Sequence, residues 1–230
     1  MSIDRTTLAR SIDQTLLKPT VGFKEAAAWM EASADTGFAS LCVSPFLVSL
    51  AAQILAGTLT KVCSVVGFPL GYSMTDTKAE EAAHLADLGC VEIDMVMNVA
   101  ALLEGEEEFM TDDIAAVVEA VADVSGGGGL VKVILETGYL TPEQVRRACE
   151  LCVAAGANFV KTSTGFGPRG ASIEDVLLMR EVVGPDIGVK AAGGIRDLST
   201  ALAMLDAGAN RIGTSSGHEI LAAFDAHPGV

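Results

Sequence analysis

The chain has 230 residues, half of them hydrophobic and only 5% aromatic, and carries a formal net charge of −15. That length suits one α/β barrel, and the apolar share supplies a sizeable buried core. The acidity excludes the basic face that nucleic acid requires, but a few backbone N–H groups can still hold a small anion.

One unit recurs along the chain: an amphipathic helix, a glycine-containing turn, then a short apolar strand. Strands are predicted at Ile12–Leu16, Ala39–Val43, Lys61–Gly67, Val91–Met97, Leu130–Glu136, Asn158–Thr162, Ile187–Ala191 and Asn210–Thr214. The turns before them include Ala34-Asp35-Thr36-Gly37 and Ala86-Asp87-Leu88-Gly89, with counterparts at Gly156, Gly184 and Gly208. Glycine after a helix accepts the left-handed conformation that redirects the chain. Helix starts are expected after Thr75, after Thr141 with Pro142 in the first turn, and after Ser172. Cys149 and Cys152 share a helical face with Val145 and Ala148, so this C-x-x-C spacing reads as packing rather than as zinc or redox chemistry. Gly126 to Gly129 reads as a flexible connection at the end opposite a barrel's active site. Alternation of this kind predicts a single (β/α)8 TIM barrel over residues 1–230. An open doubly wound sheet would more often show fewer strands and a glycine-rich loop after the first. No segment is long and apolar enough to span a membrane, and Met1-Ser2-Ile3-Asp4-Arg5 has no secretion pattern. All five cysteines lie within apolar patterns, and a cytoplasmic setting is expected.

Barrel chemistry gathers where strands end. Four such ends are polar here: Glu92-Ile93-Asp94, Lys132 with Glu136, Lys161-Thr162-Ser163-Thr164, and Lys190. A lysine at the end of a buried strand is costly to desolvate unless paired or neutral. One such lysine alone would read as a salt bridge closing the barrel rim. Lys161 and Lys190 on adjacent strands, with Asp94 across the barrel, fit a nucleophilic amine better, because neighbouring cations and poor solvation favour the neutral form. Lys132 is nearest to a structural ion pair, with Glu136 and Asp94 as expected partners. Ala192-Gly193-Gly194-Ile195-Arg196-Asp197 and Gly213-Thr214-Ser215-Ser216-Gly217 follow strands seven and eight, the recurrent phosphate site of barrels. Gly165 could contribute from the adjacent loop. Cys42 reads equally as a site residue or a small core residue. His84, His218 and His227 form no strand-end cluster, which disfavours a zinc-dependent mechanism.

Five segments taken in order resemble the deoxyribose-phosphate aldolase family, whose members are class I, Schiff-base enzymes. They are Ile12-Asp13-Gln14-Thr15-Leu16-Leu17-Lys18-Pro19, Glu92-Ile93-Asp94-Met95-Val96, residues 132–138, residues 160–166 and residues 189–196. The resemblance implies reversible cleavage of 2-deoxy-D-ribose 5-phosphate to D-glyceraldehyde 3-phosphate and acetaldehyde. It puts the Schiff base on Lys161, the second lysine on Lys190 and the catalytic aspartate on Asp94. Phosphate binding falls on Gly165, Gly193, Gly194, Ser215 and Ser216, and Asp13, Thr15, Lys132, Thr162, Thr164 and Gly213 complete the candidate substrate site. No cofactor or metal is called for, the ligand is a small sugar phosphate, and a homodimer is admitted. The chain departs from the pattern at Gln14, where many short members carry His, and at Phe166, where some carry Lys. The C-terminal Ala226-His227-Pro228-Gly229-Val230 also lacks the tyrosine some members use. The competing readings are a Schiff-base aldolase for 2-keto sugar acids or ketose phosphates, and a phosphosugar-binding barrel without lyase chemistry.

Overall fold

A computed structural model describes residues 3–226, so the tail expectation at His227 and beyond lies outside the described residues. Eight parallel strands form a closed barrel in chain order: β1 (Ile12–Leu16), β2 (Ser40–Val43), β3 (Lys61–Val66), β4 (Glu92–Val96), β5 (Leu130–Ile134), β6 (Phe159–Lys161), β7 (Gly188–Ala192) and β8 (Arg211–Thr214). β8 pairs back onto β1 through Ile12 and Ile212. Helix α1 (Arg5–Arg10) precedes the barrel, and α2 (Phe23–Ser33), α3 (Val48–Ile54) and α4 (Thr75–Asp87) follow the first three strands. Then come α5 (Val99–Glu104) with α6 (Glu107–Ser125), α7 (Pro142–Ala154), α8 (Ile173–Val183), α9 (Leu198–Asp206) and α10 (Gly217–Ala226).

All the expected strands are present: β1 matches, β7 is shifted by one residue to Gly188–Ala192, and the others lose one or two residues at their ends. β5 stops at Ile134 because Glu136 takes a left-handed φ of 53° and opens a short 3-10 turn at Thr137–Tyr139. The turn glycines behave as the sequence requires; Gly89 and Gly208, for example, have φ of 98° and 106°. Thr141 caps α7 in a reciprocal box with Gln144, and Ser172 accepts from the Asp175 N–H at 3.1 Å. The start of α4 differs from expectation. Met74 is its N-cap, and the Thr75 hydroxyl, already inside the helix, donates to the buried Asp113 carboxylate at 2.9 Å.

Side chains alternate along each strand, which separates two interiors. Outward residues such as Ile93, Met95, Val131, Val133, Val160 and Val189 are fully buried and form the main core with the helices. Val145, Ala148, Cys149 and Cys152 of α7 join this core as free thiols and apolar groups; burial pushes the Cys149 thiol up to about 12. The barrel interior is different. Cys42, Cys63 and Val65 form a small separate apolar cluster there, and beside it lie buried charged side chains from β1 and β4 to β8. Near its floor the Phe159 ring occupies the place where any side chain at Gly188 would stand, and the Arg211 guanidinium lies 6.0 Å from that ring's centre.

Candidate active site

β4, β5, β6 and β7 end side by side, and their inward positions carry Asp94, Lys132, Lys161 and Lys190. Register places Asp94 beside Lys132, and Lys161 beside Lys190. Asp94 is the hub. Its Oδ2 accepts from Lys161 Nζ at 2.7 Å and from Lys190 Nζ at 2.6 Å, and its Oδ1 accepts from Lys132 Nζ at 2.9 Å. A second layer lies below. Asp13 Oδ2 is 2.6 Å from Lys190 Nζ, Glu92 Oε2 is 2.7 Å from Lys132 Nζ, and Arg211 bonds Asp13 at 2.7 Å and Glu92 at 2.5 Å. The Ser40 hydroxyl donates to Asp13 Oδ1 at 2.8 Å. Every carboxylate here thus has at least two cationic partners, which is the condition under which buried charge is tolerated.

The electrostatics separate the lysines. Burial opposes the charge on Lys132, but Asp94, Asp13 and Glu92 outweigh it and hold its pKa well above the ordinary value. Lys190 is likewise buried, and Asp13 and Asp94 raise its pKa. Desolvation works against the Asp94 carboxylate, yet Lys132, Lys161 and Lys190 keep it ionised well below the usual carboxylate range. Asp13 drops to about 2, because Lys190, Lys132 and Arg211 prevail over its burial. Lys161 differs from the other two lysines in place. It contacts one carboxylate oxygen, which it shares with Lys190, and it borders an open cavity of about 560 Å³.

That cavity lies at the C-terminal end of the strands. Of the expected site residues, Thr15, Lys161, Thr164, Gly165, Gly193, Gly194, Gly213, Ser215 and Ser216 line it. The first turn of α10 begins right after Ser216, so its N-terminus adjoins the Gly193–Gly194 loop, an arrangement suited to a phosphate. Asp94, Lys190, Lys132, Asp13 and Cys42 are fully buried and do not line it; the first four make the ion network described above. Thr162 is also buried away from it: its hydroxyl donates to the Ala192 carbonyl and accepts from the Ala192 N–H, both at 3.0 Å, which ties β6 to β7.

One expected partnership is replaced. Glu136 does not pair with Lys132; its left-handed turn swings the carboxylate to the loop after β6, where it accepts from the Thr164 N–H and hydroxyl. Gln14 faces outward from the barrel, accepting from the Gly217 N–H at 2.9 Å, and so holds the loop after β8. Phe166 packs edge-on against Phe68 at 5.5 Å and lines both the lysine cavity and an adjacent apolar one of about 330 Å³. Sequence reasoning missed Arg211 and Glu92 as network members, along with Lys18, Trp29 and Glu219 on the cavity wall. Inward parity on β4 and β8 was the available signal for the first two.

Cys42, Cys63 and Asp94 bring ligand atoms within 4.8 Å of one another. The three ammonium groups already on Asp94 make this trio unsuited to a metal cation. A hydrogen bond from Cys63 lowers the Cys42 thiol pKa despite its burial, whereas burial raises that of Cys63.

Comparison with known proteins agrees with this geometry. Residues 2–223 match the family model described as DeoC/LacD family aldolase. A deoxyribose-phosphate aldolase of Caldanaerobacter subterraneus subsp. tengcongensis is 51% identical over 214 residues, covering 93% of this chain and 92% of that protein. One from a Geobacillus species is also 51% identical, covering 93% and 94%. The solved tetrameric deoxyribose phosphate aldolase of Aeropyrum pernix superimposes with a TM-score of 0.87 at 31% identity, covering 97% of this chain and 93% of that one. With a closed barrel, an interior lysine at its mouth and relatives matched along nearly their full length, the chain belongs to the DeoC/LacD family of aldolases and is a carbon–carbon lyase.

Proposed function

We propose that this enzyme reversibly cleaves 2-deoxy-D-ribose 5-phosphate to D-glyceraldehyde 3-phosphate and acetaldehyde through an imine on Lys161. The observation that carries the reading is the shared Asp94 oxygen: it joins Lys161, the one network lysine bordering the cavity, to Lys190, which two carboxylates keep charged. The phosphate sits on the Gly193–Gly194 loop and at Ser215 and Ser216, with Gly165 alongside. This places the C1 aldehyde of the open-chain sugar toward Lys161.

The Lys161 amine attacks C1 to give a carbinolamine, and loss of water gives the protonated imine. Asp94, directly or through a water molecule, moves protons between Lys161, Lys190 and the substrate oxygen. Asp94, through a water molecule, takes the C3 hydroxyl proton as the C2–C3 bonding pair flows into the imine and glyceraldehyde 3-phosphate leaves. The enamine left behind is protonated at C2 by Lys190 acting through Asp94. Hydrolysis then releases acetaldehyde and regenerates Lys161. General acid–base help of this kind contributes ~10²–10⁴-fold. Five buried free thiols fit the reducing cytoplasm as the site of action, and among the described residues no helix is long and apolar enough to cross a membrane.

Borohydride reduction in the presence of 2-deoxyribose 5-phosphate, followed by peptide mass mapping, tests the assignment. The expected adduct is on Lys161, and Lys161→Ala is expected to abolish both adduct and turnover. An adduct on Lys190 or Lys132 would move the nucleophile, and phosphate binding with no adduct at all would overturn the lyase mechanism.

A further inference from the structure

The barrel interior holds one more cationic side chain than anionic ones: Lys132, Lys161, Lys190 and Arg211 against Asp13, Glu92 and Asp94. A closed, buried network is most favourable when neutral. One cation is therefore in excess, and the network's own contacts select which. Arg211 is a guanidinium and stays charged. Lys132 lies within ion-pair distance of three carboxylates and Lys190 of two, whereas Lys161 has a single shared oxygen. Lys161 is the group left over.

We infer that Arg211 and Glu92, at the end of the barrel away from the cavity, are positioning residues that set how readily Lys161 becomes a free amine. The inference rests on the reading of Lys161 as the Schiff-base residue. Arg211 reaches Lys161 along two branches, one through Asp13, Lys190 and Asp94, the other through Glu92, Lys132 and Asp94. Each branch is a run of alternating charges at 2.5–2.9 Å with no apolar gap. The barrel is commonly filled by layers of branched apolar side chains, and nothing in the mere packing of a floor requires an Arg–Glu pair.

All groups facing Lys161 enter the balance. β1 contributes Asp13, β4 contributes Glu92 and Asp94, β5 Lys132, β7 Lys190 and β8 Arg211, while β2 and β3 contribute the Cys42 and Cys63 thiols. Past the strand end, Glu136 is occupied by Thr164, and Lys18, Glu25, Arg196 and Glu219 lie on the cavity wall. Arg211 and Glu92 are within the network, do not line the cavity and make no ion pair with Asp94.

Removing the Arg211 charge leaves three carboxylates for three lysines, so Lys161 keeps its proton to a higher pH. Removing the Glu92 charge does the opposite. Unit charges ~10 Å apart at an effective dielectric of ~20 shift a titration by about one pH unit.

The experiment measures the pH dependence of kcat/KM for 2-deoxyribose 5-phosphate cleavage, together with borohydride-trapped adduct on Lys161, in wild type and four variants. Arg211→Met is expected to move the acid limb up by about one unit, and Glu92→Gln to move it down by a similar amount. The double variant is expected to lie near wild type, and Arg211→Lys, which keeps the charge, to stay there too. Should Arg211→Met fail to fold, Glu92→Gln decides alone, because general damage lowers activity without moving the limb downward. Acid limbs that stay fixed, or a double variant shifted as far as Arg211→Met, would overturn the inference while the Lys161 adduct still formed. Absence of that adduct in wild type would overturn the Schiff-base reading itself.

Discussion

Gly213→Ala tests how closely the chemistry depends on the placement of Lys190. A Cβ built on Gly213 would stand 2.9 Å from Ala192 Cβ and 3.1 Å from Lys190 Cε. Carbon atoms in ordinary contact sit ~3.5–4.0 Å apart, so the new methyl must displace the Lys190 stem and β7 by roughly half an ångström. Gly213 has no left-handed φ, so the collision accounts for the whole effect. Lys190 Nζ cannot move freely, being 2.6 Å from both Asp13 Oδ2 and Asp94 Oδ2. Overpacking of this kind costs about 1–3 kcal/mol, which in a chain of this size lowers the melting temperature by several degrees. Misplacement by ~1 Å can cost ~10²-fold in rate, and half of that displacement makes a loss of ~10-fold reasonable. The assay is steady-state cleavage of 2-deoxyribose 5-phosphate coupled to glyceraldehyde 3-phosphate reduction. A fall in kcat of about 10-fold is expected with KM changed by less than ~3-fold, since the methyl points at Lys190 rather than at the Gly193–Gly194 loop. A variant with wild-type kcat and an unchanged melting temperature would refute the claim that Lys190 is held without slack.

Two predictions concern stability. Asp13 and Asp94 are held below their ordinary carboxylate range, so their contribution is present above pH ~4 and is lost as pH falls through the folded values. The urea midpoint is therefore expected to drop steeply below pH 4 and toward pH 2, where Asp13 titrates; a midpoint constant across that window would contradict the network's ionised state. Lys78→Met strands a buried carboxylate, because Lys78 Nζ is 2.6 Å from Asp113 and both side chains are fully buried. About 3–5 kcal/mol of destabilisation is expected by thermal unfolding, largely recovered by adding Asp113→Leu.

Much of the barrel is legible from periodicity, since each strand is a short apolar run and each preceding turn ends in glycine. The ends were harder. Whether a strand stops at Ile134 or Glu136 depends on a tertiary partner, the Thr164 backbone, which no local pattern of residues 130–136 reveals. The same cause hid the partner of Lys132: Glu136 lies four residues along the chain and has the right alternation, yet Glu92 from β4 is the group that reaches it. Lys161, Lys190 and Asp94 stood out because charged residues in otherwise apolar strands are rare. Thr162 stood out for its neighbours and proved to bond backbone instead. Arg211 was overlooked because it opens β8, where a charged residue reads as a solvated strand start.

The ionic filling of the barrel also bears on how the chain finds its fold. Strand pairing has a period of two, so a slip of one residue at any seam turns an inward side chain outward. At the β6–β7 seam such a slip would carry Lys190 into the apolar layer under the helices and bring Ala191 inside, leaving Asp13 and Asp94 short of a cation. An apolar interior would tolerate that exchange with modest loss, whereas here each misplaced ion forfeits several kcal/mol. Asp13, Asp94, Lys132, Lys161, Lys190 and Arg211 thus act as keys to strand register, each rejecting barrels that close one step out of place.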